Sequence, residues 1–458
     1  MEMISWNRVG EPSNSRRERF ENRLAYAYVG WILLLFILKY ILGLNIPSTV
    51  LLSSVAIYGL SGSKDRMLIA VVSCIPFSIG FQYRYLLLIF IAAYLFIERK
   101  GLRKPSLLIV LSLMVWESLH CLIGTFSIEE WLRDFAELLF LMIALSMDLE
   151  HFSYRRAIRV LAFATIGISA IMLWMQLKQN HYQLLRILYT GAYFFRFGGS
   201  SADLSQAVMN FNPNGLGLMC NCAASGIIVL YIRSEHKKLD LVCLALLVLF
   251  GCMTLSKTYY LMLLLLIFSV LFMGKKEKFL RNIEILLGFV FILLMIAWLI
   301  PNLFQTFLER VEGGNLLSNR DILFNFYNKH ILSSATYFLF GLGCQQLSGK
   351  IFDIYGYQYE VPHNFIQEVW CAWGLVGILS VGFLLYHMVR RSKQLSGEGR
   401  RTHHFIPFAV LLISSLSSQL ITVGRNMLML FFAFLCLCIP SEKKATPEPI
   451  PINQESIS

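Results

Sequence analysis

Residues 257–273 read KTYYLMLLLLIFSVLFM, an apolar run with one charge, Lys257, at its start and the basic stretch GKKEK directly behind it. Crossing a hydrocarbon layer of about 30 Å takes roughly twenty helical residues, and runs near that length recur from Trp31 to the C-terminal region. Of 458 residues, 57% are hydrophobic and 15% charged, which is more apolar surface than a soluble core can hide. The mean hydropathy of +0.61 agrees. Backbone groups in lipid must bond within their own segment, so these runs are expected to be helices. The chain reads as all-α, a polytopic membrane helical bundle of about 14 (12–14) transmembrane helices with a large outer loop containing short helices.

The segments fall at about 26–44, 46–61, 67–82, 84–97, 106–124, 130–148, 157–178, 215–232, 239–254, 257–273, 283–300, 366–388, 405–421 and 426–440, the third and fourth short for a span. Basic residues occupy alternate loops: Arg16, Arg17, Arg19 and Arg23; Lys64 and Arg66; Arg99 to Lys104; Arg155, Arg156 and Arg159; Arg233, Lys237 and Lys238; Lys275 to Arg281; and Arg390 to Arg401. Positive loops stay in the cytoplasm, so both termini are expected there. Residues 1–25 then form a cytoplasmic N-terminal segment, 26–440 the membrane domain and 441–458 a polar cytoplasmic tail. These loops also account for the net charge of +12, and no nucleic-acid partner is expected. The first apolar run lacks a small-residue cleavage site and reads as a retained anchor. Cysteines such as Cys220, Cys222, Cys243, Cys252, Cys436 and Cys438 lie inside apolar runs, where core packing is the expectation.

Two outer segments, 179–214 and 301–365, interrupt the pattern of tight turns. Loops of that length are uncommon unless they bind something or are disordered, and these carry aromatics and arginine. No phosphate-cradling glycine loop occurs in a strand-to-helix setting, which disfavours ATP-driven pumps and nucleotide-sugar enzymes. Charges near the bilayer are few and each is costly. Glu117 and His120 stand i,i+3 and Arg133 and Glu137 stand i,i+4, so each pair is expected to share a helix face. Lys257 and Arg425 occupy outer turns against the usual charge bias. Snorkelling to headgroups is one reading. The other is that Arg196, Lys257, Arg310, Arg320 and Arg425 converge on an anion, which the planar arginine fork suits.

The stretch from Pro362 to Gly377 is PHNFIQEVWCAWGLVG, set where the second outer segment re-enters the membrane. His363 and Asn364 precede nine residues and then Gly374-Leu375-Val376-Gly377. Ahead of it come an arginine-glycine stretch with Asn212-Pro213-Asn214 entering a helix, Ser256-Lys257, Ser318-Asn319-Arg320, and Gly341-Leu342-Gly343. Each piece also has a purely structural reading: Asn-Pro-Asn as a turn and helix start, and spaced glycines as close helix contacts. In this order, over about 190–390, they resemble the O-antigen ligase and O-antigen polymerase superfamily of bacterial membrane glycosyltransferases. Lys257 departs from the pattern, since the family often has arginine there, and lysine offers a point charge in place of a bidentate fork.

The resemblance implies a multi-pass enzyme of the bacterial cytoplasmic membrane with its site facing outward. It would take an undecaprenyl-diphosphate-linked glycan donor and a glycan acceptor, amid membrane lipids, with no cofactor and no metal. A chain-length regulator or similar polysaccharide assembly protein is a further partner of this class. Arg196, Arg310 and Arg320 become candidates for diphosphate contact, with Lys257 and Arg425 beside them. His363 becomes the general base on the acceptor hydroxyl, a role that histidine's unperturbed pKa of about 6.5 suits. Asn364 and Glu368 would orient the acceptor or His363. A polymerase adds one lipid-linked repeat unit to another, whereas a ligase transfers the finished glycan to lipid A core or another acceptor. Polymerases are the more numerous and divergent group, so a polymerase is the expectation. A polysaccharide flippase or other transporter is the alternative of a different class. Such folds usually show internal repeats, and none is visible here.

Overall fold

The computed structural model describes residues 15–98, 104–121, 128–149, 152–179, 213–254, 256–273, 320–344, 347–355, 362–396, 402–420 and 424–440, with scattered positions between 279 and 298. Every regular element among them is helical. In chain order these are α1 (Ser15–Phe36, continued by a π-turn at Ile37–Ile41), α2 (Ser48–Leu60), α3 (Lys64–Phe77), α4 (Tyr83–Glu98), α5 (Lys104–Cys121), α6 (Ile128–Ser146) and α7 (Tyr154–Gln179). There follow α8 (Pro213–Ile232), α9 (Lys238–Met253), α10 (Lys257–Met273), α11 (Arg320–Leu332), α12 (Ala335–Phe340) and α13 (Leu347–Tyr355). The last are α14 (Phe365–Ser396), a 3₁₀ turn at Thr402–Phe405, α15 (Ile406–Ser415) and α16 (Gly424–Leu437).

Among the described residues, four helical stretches are long and apolar enough to cross a membrane: Arg16–Ile41, Tyr154–Lys178, Pro213–Ile232 and Phe365–Ser396. Seven shorter apolar helices of 10–17 residues accompany them. Most of the expected segment 283–300 and of the expected outer segment 179–214 lies outside the described residues. Within 301–365, the other segment expected outside, the described helices are α11 to α13.

α8 is the centre of the bundle. A helix apolar on every face belongs inside, and from Leu216 to Arg233 each residue is buried, with α7, α9, α10, α15 and α16 packed around it. Small residues permit that crowding. A Cβ on Gly226 would sit 2.9 Å from the Phe432 ring and 3.1 Å from Ile158. The described cysteines are free thiols, and Cys220, Cys222, Cys243, Cys436 and Cys438 are buried as expected of packing residues.

The loops that the sequence marks as basic meet at one end of the bundle. Arg66 pairs with Glu21 at 2.7 Å, Arg159 with Asp240 at 2.8 Å, Arg155 with Glu235 at 3.1 Å, and Arg391 donates to the Met147 carbonyl at 2.9 Å. Burial pushes the Glu235 carboxyl up, but hydrogen bonds from Arg155, Tyr154 and Arg233 outweigh it and hold the group down at about 2.

The charged residues of the two spaced pairs also reach beyond their own helices. Glu137 Oε1 accepts from the Tyr83 hydroxyl at 2.6 Å and from Arg84 Nε at 2.7 Å, both on α4, while the Arg133 side chain lies outside the described residues. Glu117 and His120 do share a face of α5, and both turn to the 340–344 segment. His120 Nε2 meets the Phe340 carbonyl at 2.9 Å, and Glu117 Oε2 accepts from Cys344 N at 2.8 Å and Trp373 Nε1 at 2.6 Å. A buried carboxylate is tolerable only with such donors.

α14 is broken rather than continuous. Gly374 adopts φ 61° and ψ −154°, so it breaks the helix, and it is also the close helix contact its spacing suggests, since a Cβ there would stand 2.4 Å from the Leu339 carbonyl carbon. The break turns the Cys371 and Ala372 carbonyls from their usual partners four residues on. They accept instead from Leu342 N at 2.8 Å and Gly343 N at 2.7 Å. Gly341 and Gly343 also have positive φ, 73° and 88°, and a Cβ on Gly341 would lie 2.6 Å from Gly374 N. The two glycine motifs of the sequence therefore exist for each other.

Two consequences can be measured. Gly374→Ala adds a Cβ within 2.5 Å of Phe340 N at a left-handed φ, so it should lower the thermal midpoint of the detergent-purified protein, while Gly382→Ala, with nothing within 4 Å of its Cβ, should not. For Glu235, whose folded-state pKa is depressed, the stabilisation is present at neutral pH and lost as pH falls from the ordinary carboxylate range toward about 2. The melting difference between wild type and Glu235→Gln should accordingly be largest near neutral pH and shrink through that window.

Candidate functional site

α14 begins immediately after His363 and Asn364. Asn364 caps it: Oδ1 accepts from Ile366 N at 2.9 Å and Gln367 N at 3.4 Å, the arrangement that satisfies free first-turn amides. Its other end, Nδ2, donates to the Leu416 carbonyl at 3.1 Å, just past the end of α15. One turn into α14, Glu368 is 1% exposed and its Oε2 accepts from Leu420 N at 2.7 Å. Asn364 and Glu368, expected to orient the acceptor or His363, are thus both engaged with the backbone of the 416–420 turn.

That turn collects the other candidates. Ser417 Oγ and Thr258 Oγ1 are 3.0 Å apart, which sets the start of α10, and with it the half-buried Lys257, beside the turn. Asn426 Nδ2 donates to the Gln419 carbonyl and closes the connection to α16. Next to it Arg425 donates from Nε to Ser78 Oγ at 3.1 Å. Gly215, in the Asn212-Pro213-Asn214 helix start, faces the same guanidinium: a Cβ there would stand 3.8 Å from Arg425 Nη1.

From the same first turn of α14, Gln367 Nε2 donates to the Phe324 carbonyl at 2.9 Å and to Asn328 Oδ1 at 2.8 Å. Further along, Cys371 packs in a small core with Tyr327, Ile331, Leu347 and Ile351. Positions on α11 and α14 therefore advance together, and the two helices run in the same direction. α11, which Arg320 opens, thus packs along the first turns of α14. The Arg320 side chain itself, and all of Arg196 and Arg310, lie outside the described residues.

Around this turn stand half-buried Asn364, with His363 beside it, the cations Lys257 and Arg425, and buried Glu368, while the helix that Arg320 opens packs on α14. Two cations near a histidine, with Glu368 held by a backbone amide, suit an anionic ligand and a proton acceptor. Sequence reasoning missed Gln367, Ser417, Thr258 and Asn426. The signal was the serine cluster Ser414, Ser415, Ser417 and Ser418, which hydropathy absorbs into a helix to 421 but which ends α15 at Ser415. Compared with known proteins, the chain matches no family model and no curated sequence.

The turn can be tested directly. Glu368→Gln retains an oxygen acceptor for Leu420 N and should melt close to wild type. Glu368→Leu strands that buried amide and should cost about 1–3 kcal/mol in denaturant unfolding. Asn364→Ala should cost about 1 kcal/mol through the lost cap.

Proposed function

We propose that the chain is a membrane glycosyltransferase that polymerises undecaprenyl-diphosphate-linked oligosaccharide repeat units into surface polysaccharide, O-antigen or capsule. The observation that supports this reading is the meeting of the His363-Asn364 helix start with the turns that carry Lys257 and Arg425 and with the helix that Arg320 opens. In the sequence these are scattered pieces of one family-like pattern. In space the His363-Asn364, Lys257 and Arg425 pieces adjoin the 416–420 turn, and the helix that Arg320 opens packs on α14.

The chemistry follows from their types. The acceptor hydroxyl oxygen attacks the anomeric carbon and gives up its proton to His363. The bond from that carbon to the diphosphate oxygen breaks, and its electron pair leaves on the diphosphate. Arg320, with Lys257 and Arg425, stabilises the growing negative charge, the role that preorganised donors serve when charge develops in a transition state. Asn364 and Glu368 act at one remove, by holding the 416–420 turn against the start of α14. The proposal includes about fourteen spans in the bacterial cytoplasmic membrane, both termini in the cytoplasm and the site facing outward.

Purified protein in nanodiscs, given the lipid-diphosphate-linked repeat unit alone, should yield a ladder of longer lipid-linked glycans on a gel. Transfer only after a second acceptor is supplied would replace the polymerase with a ligase, and no reaction in either case would favour a transporter. His363→Ala and Arg320→Ala should each abolish the ladder without reducing membrane abundance. Arg320→Lys should also be poor, because lysine cannot make the bidentate contact.

A further inference from the structure

At the end of the bundle where the basic loops meet, a cavity of about 360 Å³ opens between α5, α6 and α14. Its polar wall is the last part of α14, with His387, Arg390, Arg391 and Gln394. Facing them are Pro105 and Ser106 from the first turn of α5, where the helix dipole favours negative charge. Leu145 of α6 closes the apolar side, and none of the described lining residues is acidic. Neither the glycan chemistry nor the contacts of the 416–420 turn involves this cavity.

The surfaces leading away from it are apolar. On α14, Leu379, Phe383 and Tyr386 are large and exposed, at spacings that continue the face of Arg390. On α5, which packs against α14, Leu108, Leu111 and Val115 are exposed likewise, with Leu108 67% accessible one turn beyond Pro105. Cationic groups at the mouth of a cavity with two apolar stripes running from it match an amphiphile with an anionic head and hydrocarbon tails. A free anion would leave the stripes unused.

We propose that this cavity binds the phosphate of an anionic phospholipid, with Arg390 and Arg391 on the phosphate and the acyl chains along the α5 and α14 stripes. The proposal rests on the membrane reading above, under which this end faces the cytoplasmic leaflet, where anionic lipids concentrate. It does not depend on the glycan chemistry. Arg391 has a second task, its bond to the Met147 carbonyl, whereas Arg390 is exposed.

The test uses the full-length protein and two probes with identical chains, a phosphatidylglycerol and a phosphatidylcholine. Membranes are first washed with alkaline carbonate, and a chain that washes off would overturn the membrane reading and this proposal together. For protein that stays, native mass spectrometry from detergent should show phosphatidylglycerol retained over phosphatidylcholine by roughly tenfold or more, the scale expected of two arginines. Arg390→Gln should weaken that preference without lowering the melting temperature, and the double variant with Arg391→Gln should erase it. Millimolar inorganic phosphate should not displace the lipid. Equal retention of the two lipids, a preference unchanged in both variants, or displacement by inorganic phosphate would overturn the proposal while leaving glycan joining, assayed on the same variants, untouched.

Discussion

The carbonyls of Cys371 and Ala372 lose their helical donors where α14 breaks at Gly374, and a buried carbonyl without a donor is not sustainable in an apolar bundle. They are satisfied by Leu342 and Gly343, from a segment that reaches them because Gly341, Gly343 and Gly374 carry no side chains. Much else depends on that exchange. It clamps α12 against α14, with Trp370 donating to the Phe338 carbonyl at 2.9 Å and Lys350 to the Leu342 carbonyl at 2.6 Å. It also fixes the register of α11, so the helix that begins at Arg320 runs beside the one that begins after His363.

Buried carboxylates follow the same constraint. Glu117, Glu137 and Glu368 are all nearly inaccessible, and each is held by donors from another part of the chain. A buried ion pair contributes less to stability than its geometry suggests, but losing one partner is costly. Such groups therefore fix which helices meet. Glu137 ties α6 to α4, Glu117 ties α5 to the 340–344 segment, and Glu368 ties α14 to the turn after α15. The last of these orders the neighbourhood of Lys257 and Arg425 around His363.

Charge is divided between the two ends of the bundle. One end gathers Arg66, Arg155, Arg156, Arg159, Arg233 and Arg391 with Glu21, Asp65, Glu235 and Asp240, and it includes the basic cavity beneath α14. The 416–420 turn, with Lys257 and Arg425, belongs to the other. A joining reaction at one end and a lipid anchor at the other would let the same helices answer to both faces of a bilayer.

Apolar run length, basic loops and glycine spacing are local properties, so the all-helical class and the motif positions 341–343, 363–364 and 374–377 could be read from the sequence alone. Element ends were less legible: hydropathy carries α15 on to 421, because serine is tolerated in apolar helices, yet the hydroxyls of Ser417 and Thr258 and the amide of Leu420 make a turn there. Partners were not legible at all. Spacing marked Glu137 as a costly charge and Gly374 as a packing residue but named no partner for either on another helix, since a one-dimensional pattern registers only neighbours on the same helix. The choice of Arg84 for Glu137, of Gly341 for Gly374 and of Leu420 for Glu368 was made by tertiary structure, because a buried polar group takes whichever donor the packing of distant helices brings within hydrogen-bond reach.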